Sequence, residues 1–574
     1  MAGVRSELAK TSKTSEEGAR PLIAILLDHI ESDYHVEIIE SAIRVAERRG
    51  AQTLIIPGGA LDRNGSPGKS RGFVYKYLGL AQIDGLMLLG GALSNYSGID
   101  GFEQFYRSLP RVPAVVVGLD TPAAMCVAVN NHHGVSQVVD HLVQKHQRRK
   151  IAYIDGPSGS AESRIRRQAY LDSIERHKLP VDQRYLAPGG LARENGIDAV
   201  VTLFEDRHLD EDEIDAIVCV NDDTALGVLE ELRRRGILVP EQIAVVGFDD
   251  APHAHTATPP LTTVSQRVYE QAETAMNRLL DGIASGSQLS RDEVLPDFVA
   301  RQSCGCEPKM SNDSSSWRGG SSASAQTLLE EKAAIVDSII HVARGRLSAE
   351  ANWAQALVSS LLDEYSGKRG SFVANLTHLG RTSGETAIDV CHEVLTRLRL
   401  RVLKCLPPFD PMMTTLEDVF QEGRLALANR SLFSERARHA AQAHHMRAVA
   451  RACLDRAHGA DLSELAVALD EQLPMFGFDK FVISQGSGNK LTVVARSSSR
   501  AESKDIVTTA NLGRDVSMMS TPNVVILPLS SQDVQVGLAA LSYGSVDPFV
   551  LEQLRDLLGM ALAMPNARDT SPTS

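Results

Sequence analysis

Between Pro21 and about Cys306, short runs of aliphatic and β-branched residues alternate with segments of helix length. Leu22–Leu27, Thr53–Ile56, Gly85–Leu89, Ala114–Val117, Ile151–Ile154, Ala216–Val220 and Ile243–Gly247 are apolar almost throughout. They therefore read as strands covered on both faces rather than on one. Glu37–Arg49, Gly134–Lys145, Arg166–Lys178 and Ala225–Arg235 read as the helices between them. Strands that alternate with helices require parallel sheets with helices packed on both faces. Roughly 290 residues of this pattern exceed one sheet of ordinary size, so two similar lobes with a cleft between them are expected. Two of the runs end on polar clusters, Asn221-Asp222-Asp223 and Phe248-Asp249-Asp250. Open α/β sheets bind ligands outside the carboxyl ends of their strands, so these clusters point to a crevice for a small molecule.

The chain of 574 residues is too long for this unit alone, and about 100–200 residues per domain predicts three or four units. We read residues 1–20 as a polar segment without stable structure and 21–306 as the two-lobed unit. Residues 307–325 are rich in Ser, Gly, Asn and Asp, and cannot bury enough apolar area to offset their ordering, so they read as a linker. Residues 326–460 read as helical, interrupted at Leu406-Pro-Pro-Phe-Asp-Pro411 because proline lacks the amide donor. Within 461–565 a helix, several strands and a closing helix suggest a small α+β module, and 566–574 is a polar tail. A formal net charge of -13 argues against a general nucleic-acid-binding surface. Seven scattered cysteines fit a reducing compartment better than a disulfide framework. No signal-peptide core and no run near ~18 apolar residues stands out, so a cytoplasmic protein with no membrane span is expected.

Five blocks in the first half occur in a telling order: Ser32-Asp-Tyr34-His35, Val129-Asn-Asn-His-His133-Gly134, Tyr153-Ile-Asp-Gly-Pro157 with Ser163-Arg164-Ile-Arg166 and Tyr170, Asn221-Asp-Asp-Thr-Ala-Leu-Gly227, and Gly247-Phe248-Asp249-Asp250. In order and spacing they resemble the effector-binding domain of the lactose-repressor family. The resemblance covers about half the chain and implies a type I periplasmic-binding-protein-like fold that holds a sugar- or nucleoside-like effector between its lobes. It implies ligand contacts from Tyr34, His35, His133, Arg164, Asn221, Phe248 and Asp249. The chemistry of these side chains suits that role. Arg164 offers a fixed fork of donors, Asp249 accepts from hydroxyls or ring nitrogens, Asn221 does both, and Tyr34 and Phe248 offer ring faces. Other readings stay open: Asn221 and Asp222 equally serve to cap the following helix, Arg164 has two arginine neighbours on what reads as a solvated face, and Asp249 suits a turn. In 461–565, the pair Pro528-Leu-Ser and Val536-Gly-Leu-Ala-Ala-Leu541 before the last helix resembles a GAF domain.

Repressors of this family carry a helix-turn-helix head, and residues 1–20 are too few to form one. Direct DNA contact through that head is therefore not expected, although contact through the helical region remains an alternative. No nucleophile–base pair, phosphate loop or metal motif stands out, so neither enzyme activity nor a cofactor is expected. Cys304-Gly-Cys306 has no Cys/His partners at zinc spacing along the chain and reads as a structural strand end. The expectation is a two-lobed sensor, homodimeric as its relatives imply. It would pass an effector signal through a helical region and a GAF-like module to a partner protein.

Overall fold

The computed structural model describes residues 20–62, 71–79, 83–286, 290–306, 325–343, 347, 352–365, 370–382, 387–406, 412–458, 461–487, 490–497, 506–508, 521–532, 534–544 and 548–563. The expected N-terminal segment, the linker and the tail therefore lie almost wholly outside the described residues. Residues 1–308 and 445–574 form one compact unit, and 309–444 form a second.

The first lobe is built on five parallel strands, β1 (Leu22–Leu27), β2 (Gln52–Pro57), β3 (Gly85–Leu89), β4 (Ala114–Val117) and β5 (Met125–Val129). Their side chains alternate between two cores, as the pleat of a strand requires. Ile23, Ile25 and Leu27 face one core with the helices Asp33–Arg48 and Val268–Ser285, while Ala24 and Leu26 face another with Phe102 and Phe105. The second lobe carries β6 (Ile151–Ile154), β7 (Leu186–Ala187), β8 (Ala216–Cys219) and β9 (Ala244–Val246), parallel in the order β7-β6-β8-β9. A small antiparallel pair, β10 (Thr263–Ser265) and β12 (Asp297–Val299), completes it. The strand between them in sequence, β11 (Arg291–Val294), pairs with β5 in the first lobe.

The chain passes between lobes three times: from β5 into the helix Asn131–Gln144, from β10 into the helix Val268–Ser285, and from β11 to β12. These crossings are tied to one another. Asn130 donates its backbone N–H to Val294 O at 2.9 Å and its amide to Glu293 at 2.9 Å. Arg267 forms a two-pronged pair with Asp297 at 2.8 and 3.0 Å.

The C-terminal α+β segment contributes β13 (Phe481–Ser487), β14 (Lys490–Arg496), β15 (Ile506–Thr508), β16 (Asn523–Ser531) and β17 (Val534–Ser542). The helices Leu462–Gln472 and Pro548–Leu562 stand before and after these strands. The strands are antiparallel in the order β16-β17-β13-β14-β15, and β16 pairs in parallel with β2. The sheet therefore runs without a break from the first lobe into this segment. Sequence alone suggested a module set apart by helices; the pairing arises because β2 would otherwise leave an apolar edge unpaired. Thr53 donates its hydroxyl to Asn523 Oδ1 at 2.8 Å, and the Asn523 amide donates to Glu47 at 2.7 Å. The two-sided alternation also continues: Val525 and Leu527 enter the core of Ile23 and Ile25, whereas Val524 and Ile526 enter that of Leu26.

The second unit is helical, with Lys332–Ala343, Trp353–Tyr365, Ser371–Thr382 and Ala387–Lys404 among its helices. Phe372 meets Phe420 edge-on in its core, and Arg399 grips Glu417 at 2.6 and 2.8 Å. The expected interruption at the proline-rich segment falls between helices ending at Lys404 and starting at Met412; residues 407–411 lie outside the described residues. No described helix is long and apolar enough to cross a membrane.

Candidate functional site

After β1 the chain turns through Asp28–Ser32 into the helix Asp33–Arg48, whose N-cap is Ser32. Asp28 accepts from His35 Nε2 at 2.9 Å and lies 2.9 Å from His29 Nδ1. Burial alone would raise the Asp28 carboxyl, but the hydrogen bonds from His29 and His35 outweigh it and hold it far below the usual carboxylate range. Burial lowers His35, so its neutral ring donates from Nε2 to Asp28 and takes the Ser32 hydroxyl at Nδ1. This fixed loop places Tyr34 at the cleft. Burial, followed by the carboxylates of Glu162 and Asp249, pushes the Tyr34 phenol well above its ordinary range. Tyr34 from the first lobe thus faces acidic groups carried by the second.

The second lobe answers with the helix Ala161–Arg176. Its inward residues Ser163, Arg166, Ala169, Tyr170 and Ser173 follow three- and four-residue spacing. Arg166 is 5% exposed and is the centre of the site. Its Nε donates to Asn131 Oδ1 at 2.7 Å and its Nη1 to Val220 O at 2.7 Å. The guanidinium lies 3.8 Å from the centre of the Phe248 ring, where a cation is attracted by the ring face. Asp249 Oδ1 stands 3.7 Å from Nη1 and accepts from Gln266 Nε2 at 2.6 Å. Burial pushes the Asp249 carboxyl up against the pull of Arg166, and nearby Asp222 adds to the rise. Asp222 is itself raised by burial, although Thr263 Oγ1 and Ala251 N donate to it at 2.6 and 2.9 Å.

Two backbone features make this assembly possible. Asp249 has φ of 131° and Asp250 of 62°, a region that disfavours side chains and costs ~1–3 kcal/mol per residue. Such strain persists only where the surroundings impose it. Opposite, Gly91 leaves space for the Glu162 carboxylate to reach the first lobe; a Cβ there would stand 2.7 Å from Glu162 Oε2 and 2.9 Å from Gly118 O.

A model of the periplasmic binding protein-like domain matches residues 139–304. The HTH-type transcriptional repressor CytR of Escherichia coli (strain K12) is 33% identical over 221 residues, which cover 37% of this chain and 62% of that repressor. The HTH-type transcriptional repressor PurR of Haemophilus influenzae (strain PittEE) is 26% identical over 287 residues, covering 49% of this chain and 80% of the repressor. A solved transcriptional regulator CelR–cellobiose complex aligns at 24% identity and a TM-score of 0.43, over 50% of this chain and 85% of that one. Residues 139–304 thus match a periplasmic binding protein-like domain, and the N-terminal half is similar in sequence to transcriptional repressors. The chain thus spans less than two thirds of CytR's length. These relatives are transcriptional regulators rather than enzymes. Because they are HTH-type repressors, they give no support to the expectation that direct DNA contact is absent.

Among the residues singled out in the sequence, Tyr34, Phe248 and Asp249 lie about Arg166, with Phe248 fully buried beneath its guanidinium. Arg164 does not join them. It is exposed and donates at 3.1 Å to the carbonyls of Ser158 and Gly159. His133 is also exposed, and Asn130 holds its backbone N–H. His35 braces its own loop. Asn221 caps the helix Asp222–Arg235, accepting from Thr224 N at 3.0 Å and donating to Leu191 O at 3.0 Å, so its amide is already engaged. Sequence reading passed over Arg166, Asn131, Glu162 and Gln266. The helical phase of Ser163, Arg166 and Tyr170 would have selected Arg166, since Arg164 sits on the opposite side.

The same first loop also reaches the C-terminal segment. Glu552, on the helix Pro548–Leu562, pairs with Arg555 and lies 3.4 Å from Arg71. Burial and the adjoining Glu31 carboxyl push Glu552 up to about 7. Glu31 lies three residues before Tyr34 in the loop that ends at the cleft.

Proposed function

We propose that the chain is a cytoplasmic, ligand-controlled regulator that binds a polar metabolite, sugar- or nucleoside-like, between its two lobes. The observation that carries this reading is Arg166, buried on the Phe248 ring and flanked by Asp249, with Tyr34 facing them from the other lobe. Such an arrangement supplies donors, acceptors and an apolar wall to a ligand edge. It is supported by relatives named as transcriptional repressors. Ligand binding shifts the balance between lobe arrangements only by its different affinity for each.

The signal leaves through the loop Asp28–Tyr34 and Glu552 to residues 461–565, a GAF-like module in our reading. A helix, antiparallel strands and a closing helix support that assignment. The output is a partner protein, and the functional form is a homodimer. A second reading, a regulator that contacts DNA, is favoured by the repressor relatives.

Thermal shift and calorimetry of the full chain with sugars and nucleosides test the first reading. Arg166→Lys should weaken binding about tenfold to a hundredfold, the worth of charged hydrogen bonds held in a fork, whereas Arg164→Ala should leave it within about twofold. Equal effects of the two substitutions would refute the site. A gel shift whose affinity falls steeply with salt would favour the second reading.

A further inference from the structure

Cys304-Gly-Cys306 acquires in the fold the partners that its sequence neighbourhood lacks. His141 lies in the last turn of the helix Asn131–Gln144, and His146 follows that helix directly. Gln147, with φ of 56°, then turns the chain away. Cys304 ends a single helical turn, Gln302–Cys304, and Gly305, with φ of 102°, brings Cys306 back beside it.

The ligating atoms of these four residues all lie within 4.8 Å of one another. His141 Nε2 is 3.4 Å from Cys304 Sγ and 3.5 Å from Cys306 Sγ; His146 Nε2 is 3.4 Å from Cys306 Sγ; the two Nε2 atoms are 3.1 Å apart. A tetrahedral zinc ion with bonds of about 2.3 Å to sulfur and about 2.0 Å to nitrogen has S···N edges near ~3.5 Å and N···N edges near ~3.3 Å. The observed separations match those edges. Both imidazoles turn the same nitrogen toward the same point as two sulfur atoms. Lone pairs gathered in this way repel unless a metal ion or shared protons lie among them.

We propose that His141, His146, Cys304 and Cys306 bind a structural zinc ion. Two thiolates and two imidazoles in a closed tetrahedron select zinc over the hard cations, which prefer oxygen. The setting fits a closed site. Cys304 is fully buried, and Cys306 nearly so. The Phe298 ring packs 4.5 Å from that of His141, and a Cβ on Gly305 would crowd His146 Nδ1 at 3.2 Å. The ion joins the turn Gln302–Cys304 to the far end of the helix whose first residue, Asn131, holds Arg166. It therefore fixes the point from which the chain leaves for residue 307 onward. Binding releases the thiol protons to solvent and transfers no electrons.

Full-length protein purified under reducing conditions with zinc present should carry one zinc per chain by elemental mass spectrometry. Replacement by cobalt should give the visible absorption of a tetrahedral site, with thiolate-to-metal charge transfer. Cys304→Ser combined with Cys306→Ser should abolish both signals, and His146→Asn should weaken cobalt binding at least tenfold. Cys126→Ser, at a buried cysteine elsewhere in the fold, should retain full occupancy. Because the cobalt spectrum is read on the unaltered chain, misfolding of a variant cannot decide the matter. The proposal fails if the folded, reduced chain takes up neither metal, if occupancy survives the double substitution, or if protein purified without oxidant carries a Cys304–Cys306 disulfide.

Discussion

Asp249 makes the cleft sensitive to pH. Its carboxyl is pushed up to about 8 by burial, with Asp222 adding to the rise against the pull of Arg166. A ligand that donates hydrogen bonds to this group favours its ionised form, so binding below about pH 8 expels a proton. Affinity should therefore climb with pH, by up to about tenfold per unit between about pH 6 and 8, and then level. Without ligand the sign reverses for stability. An acid whose folded pKa lies above its unfolded value weakens the fold as pH rises from the carboxylate range through about 8. Calorimetry in buffers of different ionisation enthalpy checks the proton release, and Asp249→Asn should remove both trends. A flat affinity profile in the unaltered chain would count against the assignment. Asn221 belongs to a different class: Asn221→Ala should cost about 1–2 kcal/mol in denaturant unfolding, as lost helix caps do, while ligand affinity changes little.

At the level of elements, β2 and β16 should behave as neighbours despite their distance in sequence. Val525→Pro removes a ladder hydrogen bond and clashes inside a covered strand, a cost of about 3 kcal/mol or more. Hydrogen exchange should then quicken in Gln52–Pro57 as well as in Val534–Ser542; a change confined to the latter would mean that the pairing with β2 carries no stability. The contact of Glu552 with the first loop makes a second claim. Ligand should slow exchange in the helix Pro548–Leu562 of the unaltered chain, and Glu552→Gln should diminish that response. An identical response in both would remove Glu552 from the route.

Much of this architecture was legible in sequence because buried parallel strands are written as uninterrupted apolar runs, as at Leu22–Leu27 and Gly85–Leu89. β5 escaped because only residues 118–124 separate it from β4, so no helix-length segment announced a new strand. Taken as a string, the motif points to Arg164; only as a helix with an inner face does it point to Arg166. His141 and His146 stand 163 and 160 residues from Cys304 and Cys306 respectively, so local spacing could not link them. The partner of β2 was hidden for the same reason: edge pairing depends on backbone groups that every residue carries.

Across the whole chain, the division into two compact units predicts two separable melting events. The first lobe and residues 461–563 share cores and should lose structure together with the second lobe to which they are joined, whereas 325–444 has a core of its own. An effector bound at Arg166 should raise the first event and leave the second nearly fixed, which differential scanning calorimetry can resolve. Equal shifts in both would mean that the helical unit unfolds only with the rest.

The bond from Thr53 to Asn523 spans 470 residues. A ribosome that has made the whole first lobe must therefore still deliver most of the remaining chain before the edge of that lobe finds its partner. During that interval β2 offers unpaired amides and carbonyls along a strand that ends in the apolar run Leu54-Ile-Ile-Pro57. Translation thus leaves the nascent chain with a sticky margin until Asn523 and its strand emerge, and chaperone capture or pairing between adjacent nascent chains would be the hazards of that delay.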